Sequence, residues 1–557
     1  MKLFAKYRIP KTPEQRRLNR KNILLGLFSG IMIGLSYPPI PLPYLVFVAF
    51  VPYFIVIEKR DKLAEINRFT YFTAFIFNLI TLYWVGGWLP NSDPFLMIAG
   101  TTLLFFNPIV FLIPSTLYYL TKKYINRKLA LLLFPLFWIT FEFAYSLTDF
   151  KFPWLTLGNT LSYFTNYIQI ADIIGVYGLT VLILFANIFV YYFKKDISTY
   201  GTINKKALTG FVLLILLPII YGNYRIFSFA SKEGNVKVGL IQPNIDPNEK
   251  WKDGNLNEKI DSYLSLSKNA IDSGAQIIIW PETALPVYLL AGNYPNEVKR
   301  IHEFADSNKT SILTGMPDAT VYYNLKNAPD DAKPSKDGKT SYTSYNSILL
   351  FNPNSTEVQK YGKMKLVPFG EKVPLVESLP FLGDWIKWNV GISSWNTGRD
   401  TTIFQAKSFD EQKEKIVKIG GIICIESIYP IFTSIFVNKG AEFIVVVTND
   451  SWYGDTSGPY QHKEMSVIRA VENKRSVVRA ANGGISCLID PLGKTITETK
   501  MYTKTTLVVD VSLNSELTFY TKHPWLIPIF ASVISIIIIL LSSIAKIKRK
   551  YNDRFTK

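Results

Sequence analysis

Apolar runs close to the length of a bilayer crossing fill most of the first 230 residues and return once near the C-terminus. Residues 23–57, 69–120, 129–148, 161–193, 208–230 and 524–545 are rich in Leu, Ile, Phe and Val and carry few charges. About twenty such residues are enough to span a membrane as a helix. The pattern predicts about eight transmembrane helices, near 23–38, 43–57, 69–88, 97–120, 129–148, 168–193, 208–227 and 524–545. The second is short, and the Pro-rich SYPPIPLP before it fits a tight turn inside the membrane. Residues 231–522 have the composition of a water-soluble domain. The expected division is a membrane domain over 1–230 with about seven helices, a soluble domain over 231–522, and a final span with a basic tail over 523–557.

Charge fixes an orientation. Residues 231–522 carry 33 Lys+Arg and 33 Asp+Glu, so the whole net charge of +18 lies outside them. That distribution excludes nucleic acid as a partner, because the soluble part has no basic excess. The excess borders the membrane segments instead: the N-terminus, EKRDKLAEINR (58–68), KKYINRK (122–128), KKDISTYGTINKK (194–206) and KIKRK (546–550). The alternate loops, SYPPIPLP, GGWLPNSDP and LTDFKFPWLTLG, hold one basic residue between them, Lys151. By the positive-inside rule both termini are cytoplasmic and residues 231–522 are extracytoplasmic. The N-terminus does not read as a cleaved signal, since its basic stretch is long and no small-residue cleavage site closes the first apolar run. Only two cysteines are present, Cys424 and Cys487, so no disulfide framework is expected.

Within 231–522, β-rich apolar runs alternate with helical patterns. Strands are expected at 236–244, 276–282, 311–319, 345–353, 417–426, 443–450, 476–491 and 506–512, and helices at 255–273, 294–307, 428–438 and 459–475. Alternation of this kind predicts a layered α/β domain. Residues 318–344 are polar and read as an exposed loop or irregular hairpin. Residues 374–398 are loop-like yet carry Trp385, Trp388 and Trp395 along with Leu379, Phe381, Leu382 and Ile386. A Trp-rich arm on a membrane-tethered domain fits lipid contact, and a local mini-core is the alternative.

Histidine-based chemistry finds little support. The three histidines, His302, His462 and His523, show no metal-ligand spacing, and no G-x-S-x-G elbow is present. No metal and no cofactor is expected, and acid–base work falls to carboxylates or lysine. Three segments stand out. IIIWPET places Glu282 at the end of an apolar strand. YGKMKLVPFGEKVP places Lys363, Lys365 and Glu371 in a Pro/Gly-shaped loop. GGIICIESIYP places Cys424 at a strand end, two residues before Glu426. Each alone reads as an ordinary strand end, basic turn or core thiol. Together they supply a nucleophile, a carboxylate base for its proton, and an ammonium group to offset negative charge. The N–H of Ile425 is a candidate second oxyanion donor.

The order and contexts of these segments resemble the nitrilase superfamily, and the whole chain resembles the apolipoprotein N-acyltransferase family. The resemblance is carried by WPET (280–283), KxxLVPFGExVP (363–374), CIE (424–426), TNDSWYGDTSGPYQH (448–462), RAANGGIS (479–486) and FPWLTLG (152–158). It implies an αββα sandwich with a Glu282–Lys363–Cys424 triad. Lys363 is selected over Lys365 because the family lysine stands three residues before LVPFGE. It implies that Glu371 and Glu426 support the triad by orienting Lys363 and shaping the pocket. Trp251 and Trp154 match tryptophans proposed for substrate binding, with plain packing as the alternative for each. Asn449, Asp450, Trp452 and Arg479 are expected to brace loops, and Cys487 to be an inert core thiol. One departure is Ile425, where family members often carry Tyr.

The implied activity is a two-step acyl exchange at a multi-pass protein of the inner membrane. Cys424 takes an acyl chain from a phospholipid, with phosphatidylethanolamine the expected donor, and passes it to the α-amine of a diacylated apolipoprotein. The protein is expected to act as a monomer. A membrane-tethered hydrolase of the same superfamily and a non-catalytic membrane receptor or scaffold are the alternatives.

Overall fold

The computed structural model describes residues 12–88, 94–230, 234–250, 256–335, 338–375, 395–410 and 413–555. Five helical stretches among the described residues are long and apolar enough to cross a membrane: Leu63–Gly86, Leu96–Tyr124, Ala171–Tyr200, Lys205–Ser228 and Leu526–Asn552. At the other three expected positions the helices are shorter or more polar. Pro13–Leu35 opens with a charged turn. Pro43–Ile57 divides into a 3-10 turn, Pro43–Phe47, and a short helix, Val51–Ile57. The run near 129–148 divides into Arg127–Leu132 and Phe134–Leu147. Prolines begin the later pieces of both, at Pro52 and Pro135, because a proline is tolerated at the start of a helix but breaks its interior.

The outward faces of these helices are apolar. Leu217, Ile220, Ile536, Leu540 and Ile544 are all exposed. In water such a surface costs about 25 cal/mol per Å², and a contiguous patch of this kind marks a lipid or partner contact.

The α/β half holds thirteen described strands in two sheets. The first sheet has the order β13-β1-β2-β3-β5-β4, with β6 on β5. Its strands are β1 (Asn235–Gln242), β2 (Ile277–Trp280), β3 (Ser311–Tyr322), β4 (Lys333–Pro334), β5 (Ser341–Phe351), β6 (Val358–Gly362) and β13 (Thr505–Ser512). The second has the order β12-β11-β10-β9-β8-β7. Its strands are β7 (Ile403–Asp410), β8 (Lys413–Ile423), β9 (Phe443–Thr448), β10 (Val477–Ala481), β11 (Cys487–Ile489) and β12 (Thr495–Glu498). All eight expected strand regions are present, and 476–491 resolves into β10 and β11. The polar 318–344 stretch is the tip of a long antiparallel hairpin, in which β3 and β5 pair as far as Tyr322 and Ser341.

Alternation along the strands builds the layers. Ile277 and Ile279 of β2 face the second sheet and share a core with Val445, Val447 and Val478. Ile278 and Trp280 face the other way, onto Ile260, Tyr263 and Ala270 of helix Leu256–Asp272 and Ile301 of helix Pro295–Asn308. Helices Pro430–Asn438 and Ser457–Asn473 cover the outer face of the second sheet. Every residue of Ser457–Asn473 except Tyr460 is buried, because membrane helix Ala171–Tyr200 packs against its far side.

Polar bonds fasten that joint. Glu472 accepts from the N–H of Val176 at 2.8 Å. Lys474 donates to Gln169 at 2.7 Å. Gly175 bends its helix with φ of +61°, and a Cβ there would lie 2.2 Å from the ring of Tyr520.

Candidate active site

β2 delivers Glu282 to the C-terminal edge of the first sheet. The turn after Trp280 lies so close on β3 that a Cβ at Gly315 would sit 2.6 Å from Glu282 Cα. Lys250 donates to the main-chain carbonyl of Glu282 at 3.0 Å and fastens the same turn. Burial draws this lysine down to about 7.

Lys363 follows β6 and is 1 % exposed. Its Nζ lies 3.3 Å from Glu282 Oε1 and 2.9 Å from Glu371 Oε1. Asn346 of β5 donates from Nδ2 to both carboxylates, at 2.8 and 2.9 Å. Burial works against a charge on Lys363, but Glu371 and Glu282 outweigh it and hold the ammonium above the usual lysine range.

Cys424 follows β8 with φ of +49°, a left-handed conformation that L-residues with a Cβ seldom adopt. Glu426, two residues on, holds the turn. It accepts from the N–H of Ile423 at 2.8 Å, of Met364 at 2.7 Å and of Lys365 at 3.0 Å, and from Tyr361 Oη at 2.7 Å. One carboxylate thus ties the cysteine turn to the lysine loop.

Burial first, and the charge of Glu282 second, push the Cys424 thiol well above its ordinary range, with Lys363 pulling the other way. The resting group is therefore a thiol that needs a base, and Glu282 is a carboxylate whose charge reaches it.

The thiol opens into an apolar cavity of about 140 Å³. Membrane helix Pro94–Val110 contributes Leu96, Ala99, Leu103 and Phe106, and the loop after helix Phe134–Leu147 contributes Phe150, Phe152 and Trp154. Val367–Gly370, Ile425, Tyr453 and His462 close the catalytic side. Phe106 also lines a second, open groove on the outer face of the same membrane helix, with Ile98, Phe105 and Ile109.

The sequence-expected residues Glu282, Lys363, Glu371, Cys424, Ile425 and Glu426 come together here, and Trp154 joins them from the membrane side. Trp154 is buried and donates to Gln461 at 2.7 Å. Lys365 stands apart, over the rings of Tyr429 and Phe432. Trp251 and residues 376–394 of the Trp-rich arm lie outside the described residues. Trp395 is described and buried, with its N–H donating to Glu371 O at 3.1 Å. Cys487 is buried away from the site, its thiol pushed up by burial to about 12.

Sequence reasoning missed Asn346, Tyr361, Tyr453 and His462. Asp450 and Arg479 were read as loop braces, and they do brace: Arg479 donates to Asp450 at 3.0 Å. Donor atoms of Cys424, Asp450 and His462 lie within 4.8 Å of one another. Both nitrogens of His462 already face hydrogen-bond partners, Asp450 on one side and Ser427 and the Cys424 carbonyl on the other. The arrangement is a hydrogen-bonded network rather than an open set of metal ligands. The spacing signal for it was the TNDSWYGDTSGPYQH motif, whose members reach the site from a turn and a helix.

A two-sheet α/β layer that holds a buried carboxylate and ammonium and a half-buried thiol at its strand ends defines a carbon–nitrogen hydrolase-type domain, here seated on membrane helices. Residues 237–516 match the carbon-nitrogen hydrolase family. Residues 29–189 match the apolipoprotein N-acyltransferase N-terminal domain. An apolipoprotein N-acyltransferase of Chlorobaculum tepidum is 33 % identical over 95 % of this chain and 98 % of its own length. One of Geobacter metallireducens is 31 % identical over 93 % of this chain and 94 % of its own. The chain belongs to the apolipoprotein N-acyltransferase family.

Proposed function

We propose that Cys424 carries a fatty acyl group from a phospholipid, with phosphatidylethanolamine the favoured donor, to the α-amine of the N-terminal S-diacylglyceryl-cysteine of an apolipoprotein. The observation that carries this reading is the thiol, with Glu282 and Lys363 beside it, opening into a cavity walled by a membrane helix. A small soluble amide needs no such wall, which disfavours the tethered hydrolase. A scaffold needs no buried Glu–Lys pair.

In the first step Glu282 takes the thiol proton and the thiolate attacks the ester carbonyl. Lys363 Nζ–H and the Ile425 N–H stabilise the oxyanion. One such donor is typically worth about 3–4 kcal/mol of transition-state stabilisation. Collapse of the intermediate returns the proton from Glu282 to the departing lysophospholipid oxygen and leaves a thioester on Cys424. In the second step the amine attacks that thioester, Glu282 takes its proton, and the thiol leaves reprotonated as the amide forms. The thioester conserves acyl-transfer potential, so no ATP is required. Glu371 and Asn346 fix Lys363 against Glu282, and Trp154 shapes the cavity mouth.

The basic loops support an eight-crossing path with both termini cytoplasmic and a catalytic unit over 231–522 on the outer side of the inner membrane. Residues 1–230 and 523–557 form the membrane part. The shorter helices at 43–57 and 127–147 complete the path by packing inside the bundle. The groove beyond Phe106 supports lateral entry of lipid-anchored substrates, and nothing in the site calls for a second copy of the chain.

Incubating the purified protein with phospholipid alone should give an acyl thioester by intact mass, and Cys424→Ala should abolish both this adduct and N-acylation of a diacylated lipopeptide. Undiminished amide product from the variant would eliminate the mechanism. Faster transfer to the lipopeptide amine than to water separates transferase from hydrolase.

A further inference from the structure

His462, in the second turn of helix Ser457–Asn473, is 2 % exposed and sits between three polar groups. Its Nδ1 lies 2.8 Å from Asp450 Oδ1. Its Nε2 lies 2.9 Å from Ser427 Oγ and 3.0 Å from the backbone oxygen of Cys424. Ser427, His462 and Asp450 thus follow the contact order of a Ser–His–Asp relay. The serine cannot serve as a nucleophile here. It is fully buried, takes no part in the cavity wall, and donates its hydroxyl to the Cys424 carbonyl at 2.9 Å. The relay ends on the backbone of the cysteine that lines the cavity.

Asp450 and the Cys424 carbonyl are both acceptors. A bond from Nε2 to the Cys424 carbonyl puts the hydrogen on that nitrogen. The ring has little freedom to turn away. Arg479 Nη2 holds Asp450 from its other oxygen at 3.0 Å and stands 3.3 Å from Nδ1. Thr448 donates to Asp450 at 3.0 Å, and the Trp154 ring lies 5.5 Å from the imidazole on the cavity side.

The carbonyl so held belongs to the residue with φ of +49°. A left-handed, Cβ-bearing residue persists where its surroundings over-determine it. Two donors on one carbonyl do that, and they fix which way the side chain leaves the turn.

We propose that His462 is a positioning residue for acyl transfer: it donates from Nε2 to the Cys424 carbonyl and, with Ser427, locks the left-handed turn that presents Sγ to the cavity. The role rests on Cys424 being the nucleophile. Nothing in it requires His462 to touch substrate or to move a proton during the reaction.

The test uses the full chain in detergent micelles with phosphatidylethanolamine and follows thioester formation by intact mass. His462→Ala should lower the saturated acylation rate about tenfold or more, with the half-saturating phospholipid concentration within about twofold of wild type. His462→Gln keeps an amide donor near the Nε2 position and should return the rate to within about threefold of wild type. An unchanged rate in His462→Ala overturns the proposal. So does a loss confined to half-saturation, or a His462→Gln protein that melts like wild type yet is as slow as the alanine variant. Should the alanine variant not fold, His462→Gln decides alone, since a loss of about tenfold in that folded variant is incompatible with a donor role. Wild-type thioester on Cys424 is the internal control. Its absence defeats the nucleophile assignment itself, whereas the outcomes above defeat only the positioning role.

Discussion

Glu426 lies outside the cavity wall yet meets four donors from two segments of the chain. An amide in its place turns an NH₂ group toward some of those donors. Glu426→Gln should therefore leave at least one buried N–H unpaired, at a cost of about 1–3 kcal/mol. The loss should appear as a lower thermal midpoint in detergent, together with slower thioester formation at saturating lipid. Lys250 makes a second prediction, with a defined sign. Burial lowers it to about 7 in the folded protein, while an unfolded chain keeps the ordinary lysine value near 10.4. Between those values the unfolded state binds more protons, so this residue's contribution to stability rises with pH. The thermal midpoint of the wild type should gain on that of Lys250→Met between about pH 7 and 10, and parallel curves would show that Lys250 does not titrate in the fold. Part of this scale was legible in advance: Glu282 and Cys424 each end an apolar run, whereas Lys363 was told from Lys365 only by the family resemblance. His462 was not, because its partners Asp450, Ser427 and Cys424 stand 12, 35 and 38 residues away and no local pattern records such distances.

At the scale of elements, helix Ser457–Asn473 decides how the two halves meet. Gly458 opens it, and a Cβ there would lie 2.6 Å from the indole of Trp84. Trp84 cannot retreat easily, since its Nε1 bonds Thr81 O at 2.8 Å and Gln461 at 3.2 Å. Gly458→Ala should cost about 1–3 kcal/mol as overpacking and raise the half-saturating phospholipid concentration, because Trp84 also walls the cavity. Thermal unfolding and initial acylation rates would check both effects, and a wild-type midpoint would mean that the contact yields. The period-2 and period-3.6 patterns made the central strands and all four expected helices readable. They did not reveal β6, β7 or β12. β7 reads IFQAKSFD and buries only alternate residues, so its apolar content is too thin at a sheet edge to stand out. Nor could they reveal that Ser457–Asn473 is buried at every residue but Tyr460. Its polar residues imitate a solvated face but are consumed by partners in distant segments such as Trp154, Val176 and Glu498.

For the molecule as a whole, the charge asymmetry of the loops makes a topological prediction. In a Cys424→Ala, Cys487→Ser background, Tyr323→Cys at the exposed hairpin tip should react with a membrane-impermeant maleimide added from outside the inner membrane. Lys128→Cys should react only after the membrane is opened. The reverse pattern would invert the orientation. The count of crossings was less readable than their presence, because proline-broken helices such as Val51–Ile57 satisfy an apolar window without the length of a span.

The enclosure of helix Ser457–Asn473 carries a lesson about engineering. Here that helix forms an internal wall shared by the α/β half and the membrane helices. Severing the chain near residue 230 would strip one side of the wall and remove the Val176 partner of Glu472 and the Gln169 partner of Lys474. The excised piece should precipitate rather than turn over substrate.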